Sequence, residues 1–231
     1  MRQCKTRIVA AIACLLLPAL PSFAQEPGRG MLMISTEALA GTMFEETVML
    51  IVHHDSDGTI GIMINRPTNL ELAEVYPDVE GAGSYTGVVW FGGPLAPARP
   101  FLLSRRADGI EGASLRIVED VYLSGDASML NALDPEQRTT SFSRLYAGNA
   151  QWGPGQLSAE IEAGAWEIAL ANASTVFTNM PDDLWLRLLN SPRGTDVAHG
   201  DGGESSPGTE VRVSQLAACS GDVPPPAHCQ H

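Results

Sequence analysis

Thr47-Val48-Met49-Leu50-Ile51-Val52-His53-His54-Asp55-Ser56-Asp57-Gly58-Thr59-Ile60-Gly61-Ile62-Met63-Ile64 is the stretch that decides the fold class. Its first six residues form a continuous apolar run of the length of a buried strand, and residues 60–64 form a second. Asp57-Gly58 between them is turn chemistry, so the two runs read as a hairpin with a polar, histidine-rich connection. Val88-Val89-Trp90-Phe91, stopped by Gly92-Gly93-Pro94, reads as another strand, as do residues 100–103 and 114–118. Leu157, Ile161, Ala165 and Ile168 recur at helical spacing and predict a helix over residues 156–171. Pro181 with Asp182 and Asp183 predicts a second helix running to Asn190, since proline suits the first helical position and acids complement the positive helix end. A shorter helix is expected over about residues 126–133. Strands interspersed with few helices, without regular alternation, predict an α+β domain.

Outside this core the two ends have their own character. Arg2, Lys5 and Arg7 form a positive start, followed by an apolar run over residues 8–17 that is short of the roughly 20 residues of a membrane span. Ser22-Phe23-Ala24 then places small residues at the −3 and −1 positions of a cut before Gln25. Residues 1–24 therefore read as a cleavable secretory signal, with an uncleaved anchor as the competing reading. Cys14 lies inside the apolar run rather than at a cleavage point, which argues against lipidation there. Cleavage predicts a periplasmic or secreted protein with no membrane span.

Residues 25–30 are a short linker and 31–190 the folded domain. Residues 191–231 contain Gly200-Asp201-Gly202-Gly203 and Pro224-Pro225-Pro226. Such composition buries too little apolar surface to offset ordering, so a mostly disordered tail is expected, with Val211, Val213 and Leu216 available to dock transiently. Cys219 and Cys229 are the cysteines that remain after cleavage, and a disulfide between them suits an oxidising compartment. A metal site with His228 and His231, or free thiols, are the alternatives, and no metal site is expected because the spacing matches no zinc pattern.

The net charge of the whole chain is −13, and Lys5 is the only lysine. An acidic surface repels phosphate backbones, which disfavours nucleic acid as a partner. Neither a G-x-G-x-x-G nor a P-loop is present, so no nucleotide cofactor is expected. A G-x-S-x-G elbow and an H-E-x-x-H are likewise missing.

Three segments, read together, resemble the AlgH/YqgE family of bacterial proteins. His54 to Pro67 is similar to its H-x-x-x-G-x-x-G-x-x-x-N-[RK]-P hairpin, through Gly58, Gly61, Asn65, Arg66 and Pro67. Phe91-Gly92-Gly93-Pro94 is similar to its F/L-G-G-P strand end. Arg144-Leu145-Tyr146-Ala147-Gly148-Asn149-Ala150-Gln151-Trp152-Gly153-Pro154-Gly155-Gln156-Leu157 fits its G-Y-A-G-W-G-P-G-Q-L motif, and Glu160 and Trp166 fall where the family carries an acid and a tryptophan. The resemblance implies a single compact α+β domain with a mixed, partly barrel-like sheet surrounded by helices. It also brings a transcriptional-regulator label but no reaction. The chain departs from the pattern in its signal, in Asn149 and Gln151 for the usual Tyr and Gly, and in its tail.

The motif residues divide by chemistry. Pro67 holds Arg66 extended, so its guanidinium could fork onto a carboxylate or phosphate, either as an anion site or as an internal ion pair. Trp152-Gly153-Pro154-Gly155-Gln156 opens a helix whose first N–H groups could hold an anion, or is a turn pinned by a packed indole. His53-His54-Asp55 beside Asp57 reads better as a solvated turn than as a metal or acid/base site, because adjacent strand residues face opposite sides. Gly58, Gly61, Pro67, Gly92, Gly93, Pro94, Trp152, Gly153, Pro154 and Gly155 are expected to be framework. His54, Asn65, Arg66, Gln156 and Glu160 are the expected binding surface. The expected function is that of a non-enzymatic binding or regulatory domain acting through an envelope protein or a small anionic ligand. The alternatives are a regulator, as the family label has it, and a hydrolase-like enzyme using His54 with a nearby carboxylate.

Overall fold

The computed structural model describes residues 26–98, 100–105 and 114–191; the expected signal, the tail, Cys219 and Cys229 lie outside the described residues. Its strands are β1 (Met31–Ser35), β2 (Val48–Asp55), β3 (Gly58–Met63), β4 (Pro67–Glu71), β5 (Val88–Phe91), β6 (Phe101–Ser104), β7 (Leu115–Val118), β8 (Val121–Ser124), β9 (Ser143–Ala147), β10 (Ala150–Trp152) and β11 (Trp166–Leu170). Its α-helices are α1 (Leu72–Val75), α2 (Gln156–Glu162), α3 (Ala173–Val176) and α4 (Leu184–Leu189). A 3-10 segment, Ala127–Ala132, stands where the short helix was expected, capped by the Asp126 side chain.

The strands make two sheets. One is antiparallel with the order β10-β3-β2-β1-β11; the other, β4-β5-β9-β6-β8-β7, is mixed because β5 and β9 run parallel. The chain passes from the first sheet to the second between β3 and β4, and returns between β9 and β10. At this shared corner Met63 N–H donates to Gly92 O at 2.9 Å and Gly92 N–H donates to Ala147 O at 2.8 Å. The corner gives the sheets their partly barrel-like character, and the barrel is not closed: β7 and β11 are edges.

Period-2 alternation sorts the apolar side chains into layers. Leu32, Leu50, Val52, Ile60 and Ile62 of the first sheet meet Trp90, Leu103, Leu123 and Tyr146 of the second, and Val176, Phe177 and Leu184 join them from the C-terminal segment. The opposite face of the first sheet carries Met33, Met49, Ile51 and Met63 together with Trp152 of β10 and Trp166 of β11, and Leu157 of α2 packs on it. The outer face of the second sheet packs Leu102 and Leu145 against Leu72, Leu130 and Leu133.

The helix expected over residues 156–171 stops at Glu162, and its second half is β11. Gly164 adopts φ +78°, which ends the helix as a left-handed C-terminal residue. Beyond it Trp166, Ile168 and Leu170 alternate, and the strand pairs with β1 from Met31↔Leu170 to Ser35↔Trp166. Ile161, Ala165 and Ile168 suit helical spacing too, so a strand partner far away in sequence decided between the two periods. The last helix begins at Leu184, with residues 181–183 as its approach turn.

Candidate functional site

The third motif folds into one hydrogen-bonded unit beside α2. Gly155 adopts φ +72° and turns the chain into the helix. Gln156 then caps that turn with its own side chain: Oε1 accepts the Gly153 N–H at 3.1 Å, and Nε2 donates to Glu160 Oε1 at 2.9 Å. Glu160 Oε2 receives two indole N–H groups, from Trp152 and from Trp166, each at 2.9 Å. Buried tryptophans need a partner for that N–H, and here a single carboxylate serves both. The rings of Trp152 and Trp166 meet edge to face at 6.1 Å, and Phe44 stands edge-on to Trp166 at 5.8 Å.

This unit lines a cleft of about 450 Å³ walled by Leu39, Phe44, Pro94, Leu95, Ala150, Gln151, Trp152, Gln156, Glu160, Ala165 and Trp166. Both tryptophans are nearly buried, at 5 % and 3 % exposure, while Phe44 is half-buried. Glu160 is the only charged residue of the lining. A larger depression, about 670 Å³ and bounded by Tyr76, Asp78 and Asp126, holds none of the expected site residues.

The Asn65-Arg66-Pro67 motif works as a clamp on the segment that follows Phe44. Asn65 Oδ1 accepts the Val48 N–H at 2.9 Å and its Nδ2 donates to Glu46 O at 3.0 Å. Arg66 donates to Glu45 O and, at 3.3 Å, to Thr47 Oγ1. The clamped residue Glu46 has φ +50°, an uncommon conformation for a non-glycine residue that persists where its surroundings hold it. The clamp thus fixes the base of the loop that carries Phe44 into the cleft. Among the described residues Arg66 meets no carboxylate: its guanidinium bonds go to the Glu45 carbonyl and the Thr47 hydroxyl.

His54 is exposed, and its Nδ1 lies 2.7 Å from Thr59 Oγ1. The neighbouring His53 is the histidine that meets an acid, with Nε2 2.8 Å from Asp55 Oδ2. The Asp57 N–H donating to its carboxylate holds Asp55 below the usual carboxylate range. Register places His54 opposite Thr59 and Thr59 opposite Trp152, so the three share one face of the sheet.

The glycines act by close approach. A Cβ on Gly92 would stand 2.2 Å from Gly148 O, and one on Gly148 (φ +77°) 2.2 Å from Gly93 O. These backbones cross at the corner and set Pro94 and Leu95 on the cleft wall.

Sequence reasoning missed Phe44, Leu39 and Leu95. An aromatic residue in the polar run Thr42-Met43-Phe44-Glu45-Glu46 was the available signal. It also missed Arg144, 2 % exposed, whose guanidinium donates to Thr140 O (3.1 Å), Val176 O (2.8 Å) and Thr178 O and lies 4.0 Å over the Trp90 ring.

The comparisons with known proteins agree with this framework. The model of the AlgH-like family (DUF179) matches residues 32–195. A UPF0301 protein of Streptomyces coelicolor is 31% identical over 170 residues, covering 71% of this chain and 86% of the relative. A UPF0301 protein of Cytophaga hutchinsonii is 31% identical over 167 residues, covering 72% and 90%. The crystal structure of protein DIP2367 from Corynebacterium diphtheriae superposes with a TM-score of 0.60 at 25% identity, covering 73% of this chain and 90% of that one. The solution structure of the AlgH protein from Pseudomonas aeruginosa gives 0.57 at 25%, covering 78% and 99%. With its motifs, its two-sheet framework and these likenesses in agreement, the chain belongs to the AlgH-like, or UPF0301, family.

Proposed function

We propose that this is a non-enzymatic binding domain of an exported protein, and that the cleft beside α2 takes an extended segment of an envelope protein presenting a basic side chain to Glu160. The observation that carries this reading is the lining: three aromatic rings around one carboxylate, with no other charge. Apolar pockets with a few convergent polar groups are binding sites, and cations are attracted to aromatic faces. Each carboxylate oxygen accepts about two hydrogen bonds, so Glu160 Oε1, with one from Gln156, keeps room for another donor. An arginine or lysine supplies that donor and the compensating charge. The same electrostatics disfavour a small anion in the cleft, and Arg66 is engaged in its clamp.

The bonds that hold Glu160 support a binding role: Trp152, Trp166 and Gln156 fix its carboxylate in place as a stationary counter-charge. The signal pattern of residues 1–24 supports export, which puts the partner in the envelope.

Titration of tryptophan fluorescence tests the cleft. A hexapeptide with arginine between leucines should give a saturable change, weakened at least about tenfold in Glu160→Gln, roughly one lost charge-assisted bond. A matched peptide with glutamate should give none. No change with the arginine peptide sinks the reading. Cell fractionation with N-terminal sequencing tests the location: export predicts a chain beginning at Gln25, and an intact cytoplasmic chain refutes it.

A further inference from the structure

The first sheet has a bare edge. Thr36 N–H donates to Ala165 O at 3.1 Å and Ala171 N–H to Gly30 O at 3.2 Å, which fixes the alternation of β11 against β1. The backbone groups of Glu167 and Ala169 then turn toward β1, and those of Trp166, Ile168 and Leu170 turn outward. Among the described residues none of these outward N–H or C=O groups meets a backbone partner. Natural edges are usually blunted by charges, prolines or bulges, because an open ladder pairs with any available strand. This five-residue edge holds one charge, no proline and an exposed Leu170.

The chain leaves the described fold close to it. Trp185 of α4 donates its Nε1–H to Ser35 O at 2.7 Å, and Ser35 is the register partner of Trp166. After Ser191 the sequence continues to His231, and Glu210-Val211-Arg212-Val213-Ser214 is a run of alternating polar and β-branched residues without Gly or Pro. That is strand composition, of the same length as β11. Residues 192–209 reach up to about 60 Å when extended, whereas β11 is about 17 Å long.

We propose that residues 210–214 add to the outer edge of β11 as a sixth strand of this sheet. Period-2 alternation puts Val211 and Val213 on one face of such a strand and Arg212 on the other. A tethered segment competes at an effective concentration in the millimolar range, ahead of a second copy of the chain in dilute solution. The site is the outer main-chain edge of β11, of which only the Trp166 side chain also lines the cleft.

Hydrogen exchange on the full chain tests this. The Ile168 and Leu170 amides should exchange at least about tenfold more slowly in the native chain than in a Val211→Pro, Val213→Pro double variant, since proline removes the ladder donors. The remaining sheet amides should be unchanged. Equal rates in the two chains overturn the proposal, whether both are fast or both are slow; slow rates that vary with protein concentration assign the edge to a second copy instead. Should the double variant not fold, nuclear Overhauser contacts between residues 210–214 and residues 166–170 of the native chain decide the matter, and their absence overturns it.

Discussion

Trp152 and Trp166, on opposite edges of the same sheet, donate their indole N–H groups to one atom, Oε2 of Glu160, each at 2.9 Å. The carboxylate is therefore the tie between β10, α2 and β11, as well as the charge in the cleft. Glu160→Ala strands two buried donors and should cost about 3 kcal/mol, while Glu160→Gln, which keeps an acceptor, should cost about 1 kcal/mol. Urea unfolding followed by tryptophan emission measures both; equal losses would refute the shared-acceptor account.

Gly148→Ala and Gly41→Ala form a matched pair. Both glycines have positive φ, +77° and +74°, but a Cβ meets Gly93 O at 2.2 Å at the first and nothing within 4 Å at the second. The backbone penalty common to both is about 1 kcal/mol. Gly148→Ala adds a backbone clash and should lose about 3 kcal/mol or more. Similar melting temperatures for the two variants would rule out the close approach.

Arg144 holds three carbonyl groups in a buried plane against Trp90. Lysine carries the charge without the fork, so Arg144→Lys should destabilise by about 3 kcal/mol. A chemical denaturation midpoint unchanged from the native chain would contradict this.

Burial first, with the neighbouring Tyr146 acting in the same direction, pushes the Tyr85 hydroxyl above its ordinary range, and the group donates to Ser143 O at 2.9 Å. Because its folded value is raised, its contribution is complete below about pH 10, the unfolded tyrosine value, and is lost as pH rises beyond that. Tyr146 is raised by burial in the same direction. Stability measured from pH 8 to 11.5 should fall less steeply in Tyr85→Phe than in the native chain; an identical slope would remove Tyr85 from the alkaline transition.

The hairpin was legible because Thr47–Ile64 combines local turn chemistry with uninterrupted apolar runs, and the structure places β2 and β3 there. β5 was legible for the same reason, its end marked by Gly92-Gly93-Pro94. β11 was not: Trp166 to Leu170 fits both periods, and only β1, far away in sequence, selects the strand. The site was half legible. Gln156 and Glu160 stand four apart on α2 and do meet, whereas the clamp made by Asn65 and Arg66 closes on Glu45, Glu46 and Thr47, a loop with no pattern of its own. His54 pairs with Thr59 across the hairpin, which its register alone decides.

The corner where Gly92 bonds to both Met63 and Ala147 has a mechanical consequence. The two sheets behave as the covers of a book bound along one spine, with the spine made of main-chain bonds rather than side-chain contacts. The fore-edge is clasped by side chains of the C-terminal segment, Val176, Phe177 and Leu184, with Trp185 and Leu188 packed beside them. Parting the covers therefore means displacing this apolar clasp, whereas the binding can stay bonded.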